Sequence, residues 1–230
     1  MNTAFLSVVH DFFSLFFPRY CLGCELALVK GEDMICTGCL LEMPRSDEGH
    51  DEAFFSQFYG RLPVKTGFSL YRFSKGSRVQ RLLHALKYGG RADLGVALGR
   101  LAGYDLRAKG LHERVDLIVP VPLHEKRRRV RGYNQSERFA WGVAEVLSIP
   151  CSDAAMRSTK TQSQTRRGKL HRWLNVKDSF EITRPEMISG KRILLVDDII
   201  TTGSTVEACG QTLLAAGCVE LNLACIAGVS

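Results

Sequence analysis

Residues 191–205 read KRILLVDDIITTGST. Ile193 to Val196 is short, apolar and partly β-branched, as in a strand buried on both faces of a parallel sheet. It delivers two adjacent carboxylates, Asp197 and Asp198, into a turn rich in hydroxyls and glycine. That turn opens a helix expected over Gly203–Ala216 and closed by Gly217. In a doubly wound α/β fold, ligands sit at the carboxyl ends of strands. Thr201, Thr202, Gly203, Ser204 and Thr205 offer backbone N–H groups, four hydroxyls and a helix N-terminus, a cradle for one phosphate dianion. Asp197 and Asp198 would accept hydrogen bonds from ribose hydroxyls or help hold a hydrated Mg2+. The pairing suits a ligand that carries both a phosphate and a diol.

Three other phosphate-handling patterns fit less well. A P-loop needs G-x4-G-K-[ST], and a dinucleotide fold needs G-x-G-x-x-G after a strand; the sequence contains neither. A phosphoacceptor receiver domain can begin with a similar ILLVDD strand but needs about a hundred further residues, whereas 32 follow Asp198.

Working outward, Val64–Phe73, Val115–Val121 and Val219–Ala227 read as further strands. Ser77–Tyr88, with Val79, Leu82, Leu83 and Leu86 on one face, reads as a helix ending at Gly89-Gly90; Ala92–Arg107 and Tyr133–Leu147 follow as helices. Strands alternating with helices give an α/β class with a mostly parallel sheet flanked by helices. Arg157–Lys177 has no clear period and is rich in Ser, Thr, Gln and Arg, as expected of an active-site loop.

The 230 residues are 45% hydrophobic and 24% charged, which excludes a disordered chain or a disulfide miniprotein. Phe5, Val8, Val9, Phe12, Phe13, Phe16 and Phe17 mark an amphipathic helix stopped by Pro18. Its polar face lacks Lys and Arg, which favours packing over membrane-surface binding. No membrane span is expected, because this longest apolar run is broken by His10 and Asp11. It also lacks a basic n-region and a cleavage site, so the expected location is cytoplasmic.

Cys21, Cys24, Cys36 and Cys39 form C-x2-C-x11-C-x2-C. Two such knuckles bring four thiolates into the tetrahedral cage that structural Zn2+ prefers, with every position filled by protein. Iron in a similar cage and a pair of disulfides are the rivals, and disulfides do not suit a cytoplasmic chain. Cys151, Cys209, Cys218 and Cys225 read as small core residues.

The net charge of +7 is unevenly spread. Between Val121 and Trp173 stand twelve Lys/Arg against four acids, a local +8 that leaves −1 for the rest of the chain. Such a block suits phosphate groups, on a small molecule or on a nucleic-acid backbone.

VDDIITTGST resembles the phosphoribosyl-pyrophosphate (PRPP) signature of type I phosphoribosyltransferases. With VPVPLHEKRRRVRGYNQSERFA, LHALKYGG and the CxxC pair, the chain is similar to the ComF/GntX family, the competence-associated branch of that fold. The resemblance implies a type I phosphoribosyltransferase-like sheet preceded by a small four-cysteine zinc module. It implies that Thr201–Thr205 bind the 5′-phosphate of PRPP, and Asp197 and Asp198 the ribose hydroxyls. Val121, Pro122, Leu123 and His124 would form the pyrophosphate loop, with Arg129 and Arg131 nearby, and Thr161–Arg172 would be the loop that closes. Mg2+ would accompany PRPP. Purine-salvage relatives carry an acidic residue at the position of Thr201, so purine transfer is not implied.

The expected organisation is residues 1–45 as helix and zinc module, 46–62 as a linker beginning with the acidic, irregular stretch Ser46–Glu52, and 63–230 as the phosphoribosyltransferase-like domain. The expected function is PRPP binding in DNA uptake and natural transformation, with transfer of ribose 5-phosphate to an unidentified acceptor. The alternative is an accessory that binds single-stranded DNA or a competence helicase and uses PRPP as a regulator. Lys87 and Tyr88 read as a helix C-terminus before two glycines, where Lys is favoured electrostatically.

Overall fold

The computed structural model describes residues 17–153, 156–158 and 180–229. The helix expected before Pro18 and the loop expected over Thr161–Arg172 lie outside the described residues.

Four parallel strands form the central sheet, in the order β1-β6-β5-β2: β1 Val64–Arg72, β2 Leu117–Pro120, β5 Arg192–Ile200 and β6 Glu220–Gly228. β2, β6 and the first half of β5 are near-continuous apolar runs, as in strands covered by helices on both faces. Leu194 and Val196 of β5 join one apolar cluster with α3 (Arg78–Tyr88), α4 (Ala92–Ala108) and α6 (Gln135–Leu147). Ile193 and Leu195, one residue out of phase, join a second cluster with α2 (Glu48–Phe55) and α7 (Ser204–Ala215). The period-two alternation of a strand thus sorts one apolar run into two cores.

The expected elements occur with shifted ends. β2 is shorter than Val115–Val121, whereas β5 runs beyond Val196 to Ile200 and carries both carboxylates inside the strand. The acidic stretch read as irregular is α2, capped by the Asp47 side chain, which accepts from His50 N. Its Phe54 and Phe55, with Phe58 and Leu62 downstream, are buried against the sheet, so apolar burial holds this segment in place. At the start of the region read as aperiodic, β3 (Met156–Ser158) pairs antiparallel with β4 (Phe180–Ile182), which lies just beyond that region.

The Cys-bearing segment, which includes α1 (Thr37–Glu42), is packed against the sheet rather than apart from it. Cys21, Ile35, Cys39 and Met43 share a cluster with Leu70, Tyr71 and Leu82. Arg81 Nε donates to the Gly23 carbonyl at 2.6 Å, and Arg45 pairs with Asp105 at 2.9 Å.

Between α4 and α6 the two helix backbones come into direct contact. A Cβ placed on Gly99 would lie 2.1 Å from the Phe139 carbonyl oxygen, and one on Gly142 would lie 2.1 Å from the Val96 carbonyl oxygen. Gly95 and Gly103, one turn to either side of Gly99, face the side chains of Arg138 and Val146 closely as well. This spacing of four lets the two backbones touch. Because a carbonyl cannot swing aside as a side chain can, Gly99→Ala is expected to cost about 3 kcal/mol by overpacking. Gly49→Ala in α2, where an added Cβ meets no atom closer than 3.8 Å, is expected to gain a few tenths to about 1 kcal/mol. Urea midpoints of the two variants should therefore move in opposite directions.

Candidate functional site

Two connections leave the sheet in opposite directions. From β2 the chain runs outward through α5 (Glu125–Arg131) and α6, returning at Cys151 to bridge the outer side of β2 in parallel. From β5 it runs inward through α7 on the other face to β6. The carboxyl ends of β2 and β5 therefore diverge, and this switch point opens the crevice in which α/β proteins bind ligands.

Asp197 and Asp198 stand at that crevice. Asp197 Oδ1 accepts from Ser136 Oγ at 2.8 Å and from the Asp198 backbone N–H at 2.8 Å. Asp198 Oδ1 pairs with Lys87 Nζ at 3.0 Å. Lys87 lies in the last turn of α3, as read from the sequence, and the end of that helix also reaches over the sheet and puts its ammonium on the second carboxylate. Tyr133 fixes that reach, since its hydroxyl donates to the Leu86 carbonyl at 2.5 Å. Burial pushes the Asp197 carboxyl up to about 7; the neighbouring Asp198 charge adds to this, and Ser136, the Asp198 N–H and Lys87 work against it.

Downstream, Thr201, Thr202 and Thr205 are exposed, Ser204 is half-buried, and Thr202 Oγ1 lies 3.1 Å from Ser204 Oγ. Gly203 has φ +71°, and a Cβ there would fall 2.5 Å from the Phe58 ring. Both the left-handed backbone and the crowding demand glycine. With no side chain on the cap, the first N–H groups of the twelve-residue α7 remain available to an anion.

Val121 to His124 form the loop after β2. Val121 N donates to the Val196 carbonyl at 2.8 Å, and Asn134 Nδ2 donates to the Val121 carbonyl at 2.9 Å, which ties this loop to β5 and α6. His124 caps α5, its Nδ1 accepting from Lys126 N at 3.2 Å. Arg129 is highly exposed and lies 3.7 Å from Glu125. Arg131 donates to Gln135 at 2.8 Å and stands 5.3 Å from the centre of the exposed Tyr88 ring. The fold thus brings Asp197, Asp198 and Val121 together, while Arg129 and Arg131 belong to the neighbouring basic helix. Sequence reasoning missed the part of Ser136. It lies inside the string YNQSE, but nothing in the local pattern shows that its hydroxyl meets a residue 61 positions away.

The four thiols of Cys21, Cys24, Cys36 and Cys39 have their sulfur atoms within 4.8 Å of one another. Cys21 and Cys39 are 3.7 Å apart, and Cys24 and Cys36 are 3.6 Å apart. A tetrahedral zinc with Zn–S near 2.3 Å needs sulfur–sulfur edges of about 3.8 Å, so the cluster fits such an ion. Burial would raise the Cys21 thiol, but backbone N–H groups from Cys36, Cys24 and Gly23 bring it down to about 6. Cys39 is pushed up by burial and by the other three sulfurs. A divalent cation would relieve that crowding of charge. Cys209, Cys218 and Cys225 are buried and Cys151 half-buried, and burial raises all four thiols. They are inert core residues, as read from the sequence.

Residues 134–229 match the phosphoribosyl transferase domain family. The likeness read from the sequence holds: the chain is 33% identical over 150 residues to the DNA utilization protein YhgH of Escherichia coli (strain K12), covering 63% of this chain and 65% of that one. It is also 26% identical over 220 residues to competence protein F of Haemophilus influenzae, covering 90% of this chain and 96% of the other. The alignment thus spans just under two thirds of the YhgH relatives. A solved structure of the allosteric regulatory enzyme of purine biosynthesis overlaps 63% of this chain and 30% of its own, at 20% identity and a TM-score of 0.45. The chain is thus similar to these competence and DNA-utilization proteins; its residues 134–229 match the phosphoribosyl transferase domain family, and its described residues hold a parallel sheet with a cluster of four cysteines before it.

Two measurements follow. Atomic emission on the purified chain is expected to give about one zinc per molecule, and Cys39→Ser less than about a tenth of that. A metal-free protein that melts at the same temperature with and without added zinc would refute the assignment. The second concerns pH. Folded Asp197 holds its proton to about 7, against an ordinary 3.8, so the folded state binds more protons across that window and stability falls as pH rises through it. Asp197→Asn removes this loss. Its melting temperature should gain on the wild type between about pH 4 and pH 8, whereas a constant gap would contradict the assigned proton.

Proposed function

We propose that the crevice binds PRPP together with Mg2+, and that the protein acts in DNA uptake during natural transformation, in the cytoplasm. One observation carries the first part: two carboxylates stand at the switch point, immediately before an uncapped helix N-terminus and a run of exposed hydroxyls. The relatives' names support the second.

In this reading Thr201–Thr205 and the first turn of α7 hold the 5′-phosphate, and the helix dipole adds to the N–H groups. Asp197 and Asp198 accept from the ribose hydroxyls. Ser136 and the Asp198 N–H keep Asp197 oriented, and the ion pair with Lys87 holds the Asp198 side chain in place. Val121, Pro122, Leu123 and His124 supply the backbone facing the diphosphate, with Arg129 and Arg131 on the adjoining helix adding positive potential. Mg2+ would supply further charge neutralisation on the diphosphate. Were ribose 5-phosphate transferred, the C1–oxygen bond to pyrophosphate would break and positive charge would build on the ribose. The protein's contribution would be positioning and electrostatic stabilisation.

A second reading has its own observation. α5 carries Lys126, Arg127, Arg128, Arg129 and Arg131, and none of its residues is buried. A free basic helix beside the crevice suits a single-stranded nucleic-acid backbone. Of the aromatic residues near it, Phe139 and Tyr133 are buried, whereas Tyr88 is exposed beside Arg131.

Calorimetric titration with PRPP and Mg2+ separates the two. The wild type is expected to bind, and Asp197→Asn, Asp198→Asn together to weaken binding at least about tenfold, as for lost charge-assisted bonds. Unchanged affinity in that variant would overturn the site. Salt-sensitive oligonucleotide binding with no PRPP binding would leave the second reading standing.

A further inference from the structure

Because the strands are parallel, every carboxyl end lies at the crevice, and Val64 to Phe68 of β1 lie toward the opposite end of the sheet. There, between β1, α2 and the end of α4, is a cavity of about 330 Å³. Phe55, Phe68, Leu106 and Leu223 make it largely apolar. The Phe55 ring lies flat on β1, where a Cβ on Gly67 would come within 2.0 Å of it, so glycine at that position makes room for the wall.

Its charges are not balanced. Asp51 is buried, accepts from Ser69 N at 3.1 Å and meets Lys109 Nζ at 3.4 Å. Lys109 also sits 5.5 Å from the centre of the Phe68 ring. That pair cancels. Lys65 and Arg114 also line the cavity; they are exposed and make no ion pair or side-chain hydrogen bond with a described residue. Only Glu52 opposes them among the described lining residues. A concave apolar surface with a few convergent polar groups is how proteins hold small molecules, and two uncommitted cations select an anion.

We propose that this cavity is a second ligand site, separate from the crevice, for a small amphipathic anion: an aromatic ring system inside, with a phosphate or carboxylate at the rim facing Lys65 and Arg114. The proposal does not rest on the PRPP reading.

The test uses 1-naphthyl phosphate on the full chain, followed by calorimetry. Saturable binding is expected, weakened about tenfold or more by Lys65→Ala, Arg114→Ala together and by replacing the probe with uncharged 1-naphthol. Both substituted residues are exposed, so the variant should melt as the wild type does. Saturating PRPP should not displace the probe. The proposal falls if binding is absent at millimolar probe, if the variant binds as tightly, if naphthol binds as well as the phosphate, or if PRPP competes.

Discussion

Two adjacent carboxylates at the end of a buried strand repel one another, and each needs its own partner. Asp197 finds Ser136 and the Asp198 N–H; Asp198 finds Lys87. Much of the surrounding architecture serves those contacts. Ser136 is in place because Asn134 caps α6 and holds the Val121 carbonyl. Lys87 is in place because α3 stops at Gly89 and is anchored through Leu86 to Tyr133.

The glycine contact between α4 and α6 belongs to the same chain of constraints. Where two helix backbones touch, neither can slide or rotate without a clash, and α6 holds a fixed height over β5. The distance from Ser136 to Asp197 is then set by packing many residues away from either carboxylate. A mutation deep in this interface would loosen the crevice before it unfolded the sheet.

The four-cysteine cluster is tied to the same core. Its sulfurs share an apolar cluster with β1 and α3, and Arg81 links the helix that ends in Lys87 to the first knuckle through the Gly23 carbonyl. A metal there would stiffen the outer side of α3. The charged helix α5 stands differently: none of its residues is buried, and it is held near the crevice by Arg131, which donates to Gln135 at 2.8 Å, and by Arg128, 3.7 Å from the buried Glu137.

The strands, most helices, the cradle Thr201–Thr205 and the four metal-type cysteines were all legible along the sequence. Each rests on a local pattern: an apolar run, a 3.6-residue period, a cap or a pair of knuckles. The missed features share one property. α2 was hidden because Phe54 and Phe55 give an acidic segment its reason to order only when the sheet is present to bury them. The ion-pair partner of Lys87 lies 111 residues on, and the cavity beneath β1 is lined by pieces of α2, β1, α4 and β6. Local chemistry wrote the elements and the hydroxyl-rich turn before α7 into the sequence. Which face each side chain met, which carboxylate gained a cation and where a second cavity opened were decided by long-range burial, whose energy depends on distances that no local pattern encodes.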